Sequence, residues 1–235
     1  MEGIFMKELG EAINISVGGD AASGYPLQNF QVFKNVICGV SPYFKAACDP
    51  KWCGDKSKAF PLEDADPEDF RLLIQWMHTG NFDYYGDGDP GDVFTDDDKC
   101  EAWVERLVSL YVMADRLQIS ELKDRIITEL IATGLCFNIS LYHIKAIWSN
   151  TGEGCLLRRL VLNLWLNADV HEGMKVLKKA HSPDLMPDFV VDVAMGLTDR
   201  LNRDFVVLPM EEVLSPHCTY HEHEKGSFCP ERDCI

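Results

Sequence analysis

Period-two alternation of apolar and polar residues is confined to the start of the chain. Ile13, Ile15 and Val17 alternate with Asn14 and Ser16, and Phe30-Gln31-Val32-Phe33 alternates in the same way. Successive side chains of a strand point to opposite faces, so each stretch predicts a half-buried strand. Gly18-Gly19-Asp20 ends the first, and residues 20–28 are rich in Gly, Ala, Ser and Pro. The second strand can therefore pair back on the first as a hairpin. Ala59–Leu62 is a candidate third strand, with Pro61 favouring an edge because proline donates nothing to a ladder. Phe82–Tyr85 is a further short extended piece. Most of the remaining chain has helical spacing, so the expected class is α/β of the α+β kind.

The helix starts carry their own chemistry. Val36, Ile37 and Val40 follow the hairpin at helical spacing. Ser41-Pro42 then predicts a new helix, since Ser caps free amides and Pro at the first position loses no hydrogen bond. Tyr43, Phe44 and Ala47 continue its apolar face. Asp49–Lys58 is polar and turn-like. Asp66-Pro67-Glu68-Asp69 starts another helix with cap, Pro and acids in their preferred places. Its stripe is Phe70, Leu73, Ile74 and Met77, and Thr79-Gly80 stops it. Cys100–Leu117 predicts a helix with Trp103, Leu107, Leu110, Tyr111 and Ala114 inward. Ser120 opens the next, with Leu122, Ile126, Ile127 and Leu130 inward and Gly134 closing it. Beyond it, Ser140–Trp148 and Gly154–Ala168 have helical spacing. The latter carries Leu156, Leu157, Leu160, Val161, Leu164 and Trp165, with Arg158 and Arg159 on the other side. Met174–Ala180 is a weaker helix, Pro183–Gly196 holds one more, and Leu201–Met210 is ambiguous.

Apolar residues make up 46 % of the 235 and charged residues 26 %, enough for a substantial core. Lys plus Arg is 22 against 38 Asp plus Glu, a net charge of −16. That balance disfavours broad binding to a phosphate backbone, so no direct nucleic-acid contact is expected. Seven Asp lie from Asp83 to Asp98 without a Lys or Arg between them. Residues 86–98 predict an exposed acidic loop, and their spacing does not fit a calcium loop. Gly86-Asp87-Gly88-Asp89 is no dinucleotide loop, because its carboxylates would repel phosphate. There is no GxxxxGK[ST], GxSxG or HExxH. No stretch nears the roughly 18 apolar residues of a membrane span, and the start does not read as a signal peptide. The expected setting is intracellular, nucleus or cytoplasm, with reduced thiols. Cys38, Cys48, Cys53, Cys100, Cys136 and Cys155 then read as inert buried thiols, and His78 sits where it could cap a helix end.

Several of these pieces recur in a fixed order. They are the hairpin, Val32-Phe33-Lys34-x-Val36-Ile37-Cys38-x-x-Ser41-Pro42-Tyr43-Phe44, Leu62-Glu63-Asp64-x-Asp66-Pro67-x-x-Phe70 and Trp76-x-x-Thr79-Gly80. Leu110-Tyr111-x-x-Ala114-Asp115-x-Leu117 and Leu122-Lys123 follow. Across about residues 10–134 this order resembles the BTB/POZ domain, and most resembles versions in fungal proteins of similar size. The resemblance implies a small sheet packed on helical hairpins. It also implies a protein–protein interaction module without catalytic residues, often a homodimer. Some family members are substrate adaptors for cullin-based ubiquitin ligases, and others work in transcriptional regulation. The expected division is a BTB/POZ-like domain at 1–134, a helical region at 135–210 and a Cys/His-rich tail at 211–235. Val36, Ile37, Val40 and Tyr43 are the interface candidates. With few residues before the first strand, a strand swapped between subunits is not expected, and a helix-mediated dimer is.

The tail poses the one metal question. It reads Cys218-x2-His221-x-His223-x5-Cys229-x4-Cys234. Thiolates and imidazoles suit a tetrahedral structural zinc, which would let a small polar tail fold without an apolar core. Cys218, His221 and Cys229, with either His223 or Cys234, form the candidate ligand set. The competing reading is an exposed polar tail docked by Tyr220 and Phe228, and a disulfide among the three Cys is a third. An enzyme built on this Cys/His group is the remote alternative. A transcription-associated scaffold with a zinc tail is the nearer one.

Overall fold

The computed structural model describes residues 10–49, 60–81, 96–134, 139–167, 175, 177, 186–202, 210–214 and 217–222. Strands β1 (Ala12–Val17) and β2 (Gln28–Phe33) form the predicted antiparallel hairpin, with Ser16 opposite Asn29 and Ile15 opposite Phe30. Ser16 donates to Asn29 Oδ1 at 2.7 Å across that pair. Ile15, Val17 and Val32 are buried, whereas Asn14, Asn29 and Gln31 face solvent. β3 (Phe60–Leu62) joins β1 in parallel, which makes β1 the central strand of a mixed sheet ordered β2-β1-β3. Pro61 thus lies on an edge strand, where its missing donor does no harm. Gly18 closes the hairpin loop with φ +78°, and a Cβ there would meet the Pro26 carbonyl oxygen at 2.4 Å. Its own N–H reaches Leu62 O at 3.0 Å.

Helices α1 (Lys34–Val40) and α2 (Pro42–Ala47) follow the hairpin. Helix α3 (Pro67–Thr79) is capped by Asp66, whose Oδ1 accepts from Glu68 N at 2.8 Å. Gly80 ends it in the left-handed region at φ +73°. Its buried stripe is Phe70, Leu72, Leu73 and Trp76, rotated from the predicted Phe70, Leu73, Ile74 and Met77, so that Ile74 and Met77 are only half-buried. Helix α4 (Asp97–Arg116) buries Trp103, Leu107, Leu110, Tyr111 and Ala114, and α5 (Ser120–Ala132) buries Leu122, Ile126, Ile127 and Leu130, all as predicted. A small mixed sheet with flanking helices therefore makes up the N-terminal region.

The rest of the described chain is helical: α6 (Leu141–Asn150), α7 (Leu156–Asn167), α8 (Pro187–Asn202), α9 (Met210–Leu214) and a 3₁₀ turn (His217–Tyr220). Of the acidic loop predicted at 86–98, residues 86–95 lie outside the described residues, as do Phe82–Tyr85, most of Met174–Ala180 and residues 203–209, whereas Asp97 and Asp98 belong to α4 rather than to a loop. Two compact units divide the chain, one comprising Met1–Pro90 with Ser109–Leu122, the other Gly91–Val108 with Lys123–Ile235.

In the second unit Phe189 of α8 packs edge-on to Trp148 of α6 and Trp165 of α7, with ring centroids 4.8 and 5.2 Å away. Gly196 lets α8 approach α7 closely, since a Cβ there would meet Leu166 Cδ1 at 2.6 Å. Arg158 overturns its expected outward placement. It is buried, donates from Nη2 to Trp148 O at 2.7 Å and from Nε to Thr151 Oγ1 at 2.9 Å, and lies 5.3 Å over the Trp148 ring. The end of α6 presents carbonyls without intrahelical donors, and a guanidinium satisfies several at once.

Candidate interaction surfaces

In the first unit the α1–α2 corner is held by one hydroxyl. Ser41 is fully buried between the two helices. Its Oγ accepts from Phe44 N at 3.2 Å, capping α2, and donates to Leu117 O at 2.7 Å. The predicted cap is therefore also a tie to a residue 76 positions away. Around it, Phe44 points inward and stacks edge-on with Phe60 at 6.0 Å. Of the four interface candidates, Ile37 is fully buried, Val36 and Val40 are half-buried, and Tyr43 is 40 % exposed. Outside α1 and α2, the hairpin loop also shows Leu27 at 60 % exposure beside Tyr25. Next to it Arg71 lies 5.9 Å over the Phe30 ring and is bonded to Glu68 and Gln28.

The same unit buries a carboxylate. Asp69, in the first turn of α3, accepts from Ser109 Oγ and is almost fully enclosed. An acid in that turn also faces the positive end of the helix dipole, so its placement is structural. Arg116 pairs with Asp64 at the surface.

Among the described residues, the second unit carries two buried imidazoles. His143 lies at the third position of α6, and its Nδ1 accepts from Ser140 N at 3.1 Å in a capping box. Burial pushes its pKa below the ordinary histidine value of 6.5, against the opposing pull of Glu105 and Glu101. An Nδ1 that accepts a backbone N–H must be unprotonated, which agrees with that direction. Tyr142 beside it is exposed and donates to Glu105 at 2.9 Å.

His221 is the other. It is buried, and its Nε2 lies 3.0 Å from Thr128 Oγ1 on α5. Glu222 N donates to Asp124 Oδ1 at 2.8 Å, and Lys123 Nζ pairs with the Glu222 carboxylate. Tyr220 is fully buried, donates to Val213 O at 3.0 Å and accepts from Asn163 Nδ2 at 3.0 Å. These three consecutive residues clasp the segment after α9 to α5 and α7. Docking by Tyr220 was legible in the sequence, but the polar row Lys123, Asp124 and Thr128 that receives His221 and Glu222 was not. No periodicity marks it, because polar side chains on a helix count as outward until their partners are known.

Of the predicted zinc ligands, His221 alone has a described side chain. His223, Cys229 and Cys234 lie outside the described residues, and Cys218 is described only as part of the 3₁₀ turn. Among the described residues, no group of three or more His, Cys, Asp or Glu is arranged to hold a metal ion. No described helix is long and apolar enough to cross a membrane.

The first unit thus offers a sheet-and-helix scaffold whose chemistry lies in surface shape. The BTB/POZ family model matches residues 23–133, so a BTB/POZ domain, a non-catalytic protein-interaction module, is present in the chain. The match begins after β1, the strand that sits at the centre of the sheet. No curated protein matches the chain.

Proposed function

We propose that the protein self-associates through the α1–α2 corner and recruits a partner protein, acting as a substrate adaptor for a cullin-based ubiquitin ligase. The BTB/POZ domain at residues 23–133 carries this reading. Val36, Val40 and Tyr43 retain exposed surface at the corner, and a two-fold contact would use the same patch on both subunits. The N-terminal interaction domain would then be followed by a helical region at 135–210 that presents the client. The intracellular setting, nucleus or cytoplasm, belongs to the same reading.

Sedimentation of the full chain tests self-association: a dimer is expected, and Tyr43→Glu should shift it to monomer. A species of 26.6 kDa at high concentration would overturn it. Co-purification with a cullin scaffold tests the ligase role, and its absence at high micromolar protein would refute that part alone.

A structural zinc in the tail belongs to the alternative reading, a transcription-associated scaffold. With the His221 imidazole turned to Thr128, three thiolates and one imidazole remain in Cys218, His223, Cys229 and Cys234, a donor set typical of structural zinc. Metal analysis of purified protein should then find about one zinc per chain, lost when Cys218 and Cys229 become Ser.

A further inference from the structure

Helix α8 is apolar on two opposite faces, of which one packs against α6 and α7 and the other is exposed. Phe189 and Val193 are buried against α6 and α7, with Gly196 seated on Leu166. The opposite face carries Pro187, Val191, Ala194, Met195, Thr198 and Leu201, all exposed. Val191 is 54 % exposed, Met195 64 % and Leu201 88 %. The Thr198 hydroxyl is spent on its own helix, donating to Ala194 O at 2.8 Å, so the residue adds a methyl to the stripe. A helix apolar all round is normally enclosed, and an open second face is the mark of a binding surface.

The edge of that face selects its occupant. At about 3.6 residues per turn, Asp188, Asp192 and Asp199 fall along one side of the stripe. Asp188 and Asp199 are exposed, and Asp192 accepts from Trp148 Nε1 at 2.9 Å. The other side is apolar, with Val190 and Leu197 half-buried. We propose that this face docks an amphipathic helix of a partner protein whose apolar stripe is bordered by Lys or Arg.

A second copy fits less well on two counts. Antiparallel pairing about a two-fold axis would set one acidic edge against the other. A 16-residue helix is also only about 24 Å long, too short to supply by itself the roughly 1,200 Å² that a stable dimer buries. A single partner helix in this orientation uses recognition at i, i+4 and i+7, the spacing the stripe itself has. The face belongs to the second unit and the α1–α2 corner to the first, and its test does not depend on self-association.

The probe is a labelled synthetic helical peptide with Leu at i, i+4, i+7 and i+11 and Lys along one edge, read by fluorescence polarisation against the full chain. A matched peptide carries Glu on that edge. The Lys-edged peptide should bind, and the Glu-edged one should bind roughly tenfold more weakly, the effect of two exposed pairs turned repulsive. Met195→Glu should abolish binding. Because that variant adds negative charge, mere attraction to an acidic protein would instead strengthen it. Asp188→Lys with Asp199→Lys should reverse the preference between peptides. Both substitutions are at the surface, and circular dichroism checks the fold. Equal affinity for the two peptides, no binding, or a self-associated species dissolved by Met195→Glu would each overturn the proposal.

Discussion

Replacing Ser41 by Ala removes two interactions made by one buried atom. The first is the helix cap on Phe44 N, worth about 1 kcal/mol. The second is the donor to Leu117 O, in a site with no solvent exposure at Ser41. Losing a partner inside a protein costs about 1–3 kcal/mol, because water cannot replace it. The expected total is about 2–4 kcal/mol. Asp66→Ala supplies the comparison, since Asp66 also caps a helix that starts with Pro but makes its cap at a more accessible position. It should cost about 1 kcal/mol. Urea unfolding followed by Trp fluorescence gives both values, with Trp76 reporting from the same unit. Amide exchange at Phe44 should accelerate only in the Ser41 variant. The α1–α2 corner would also loosen, so the dimer proposed above should weaken with it. If Ser41→Ala costs no more than Asp66→Ala, the bond to Leu117 contributes nothing and the reasoning fails.

His143 has a folded pKa below 6.5, so its contribution to stability is complete above that value and declines as pH falls from 6.5 toward the folded pKa, where the unfolded chain binds the extra proton. His143→Gln keeps a side chain able to reach the Ser140 amide but does not titrate, so thermal melts between about pH 7 and pH 5 should flatten. Arg158→Lys cannot serve the Trp148 and Thr151 acceptors together, and should cost about 2–3 kcal/mol with a change in Trp fluorescence. Thr128→Val should loosen the clasp at Tyr220–Glu222, raising protease cleavage after residue 214 before any loss of helix content in circular dichroism.

The strands and helix caps were legible because each is encoded within a few residues. Alternation placed Ile13–Val17 and Phe30–Phe33, and Ser41-Pro42 and Asp66-Pro67 placed two helix starts to the residue. The interface candidates were less so. Val36, Ile37 and Val40 share helical spacing, but only packing distinguishes the enclosed Ile37 from its two half-exposed neighbours. Arg158 was misplaced because a charged residue on an amphipathic helix reads as solvent-facing, and nothing local announces the carbonyls at the end of α6. The open face of α8 was hidden for the opposite reason. Pro183–Gly196 was expected to hold a helix with no face assigned, and spacing alone does not say that one helix carries two apolar faces.

The division of the chain into two units has a consequence for the order of events during synthesis. The first unit takes residues 109–122 as well as 1–90, and the second takes 91–108 along with everything after 122. Each is therefore interrupted by a piece of the other. A nascent chain that has emerged only to residue 90 lacks the Leu117 carbonyl that Ser41 bonds. The second unit lacks Tyr220, His221 and Glu222 until synthesis has passed residue 222. Partly finished apolar faces must therefore wait for distant segments, the circumstance in which chaperones are needed and aggregation competes. The short β3 edge, blunted by Pro61, limits one route to that outcome while the chain is incomplete.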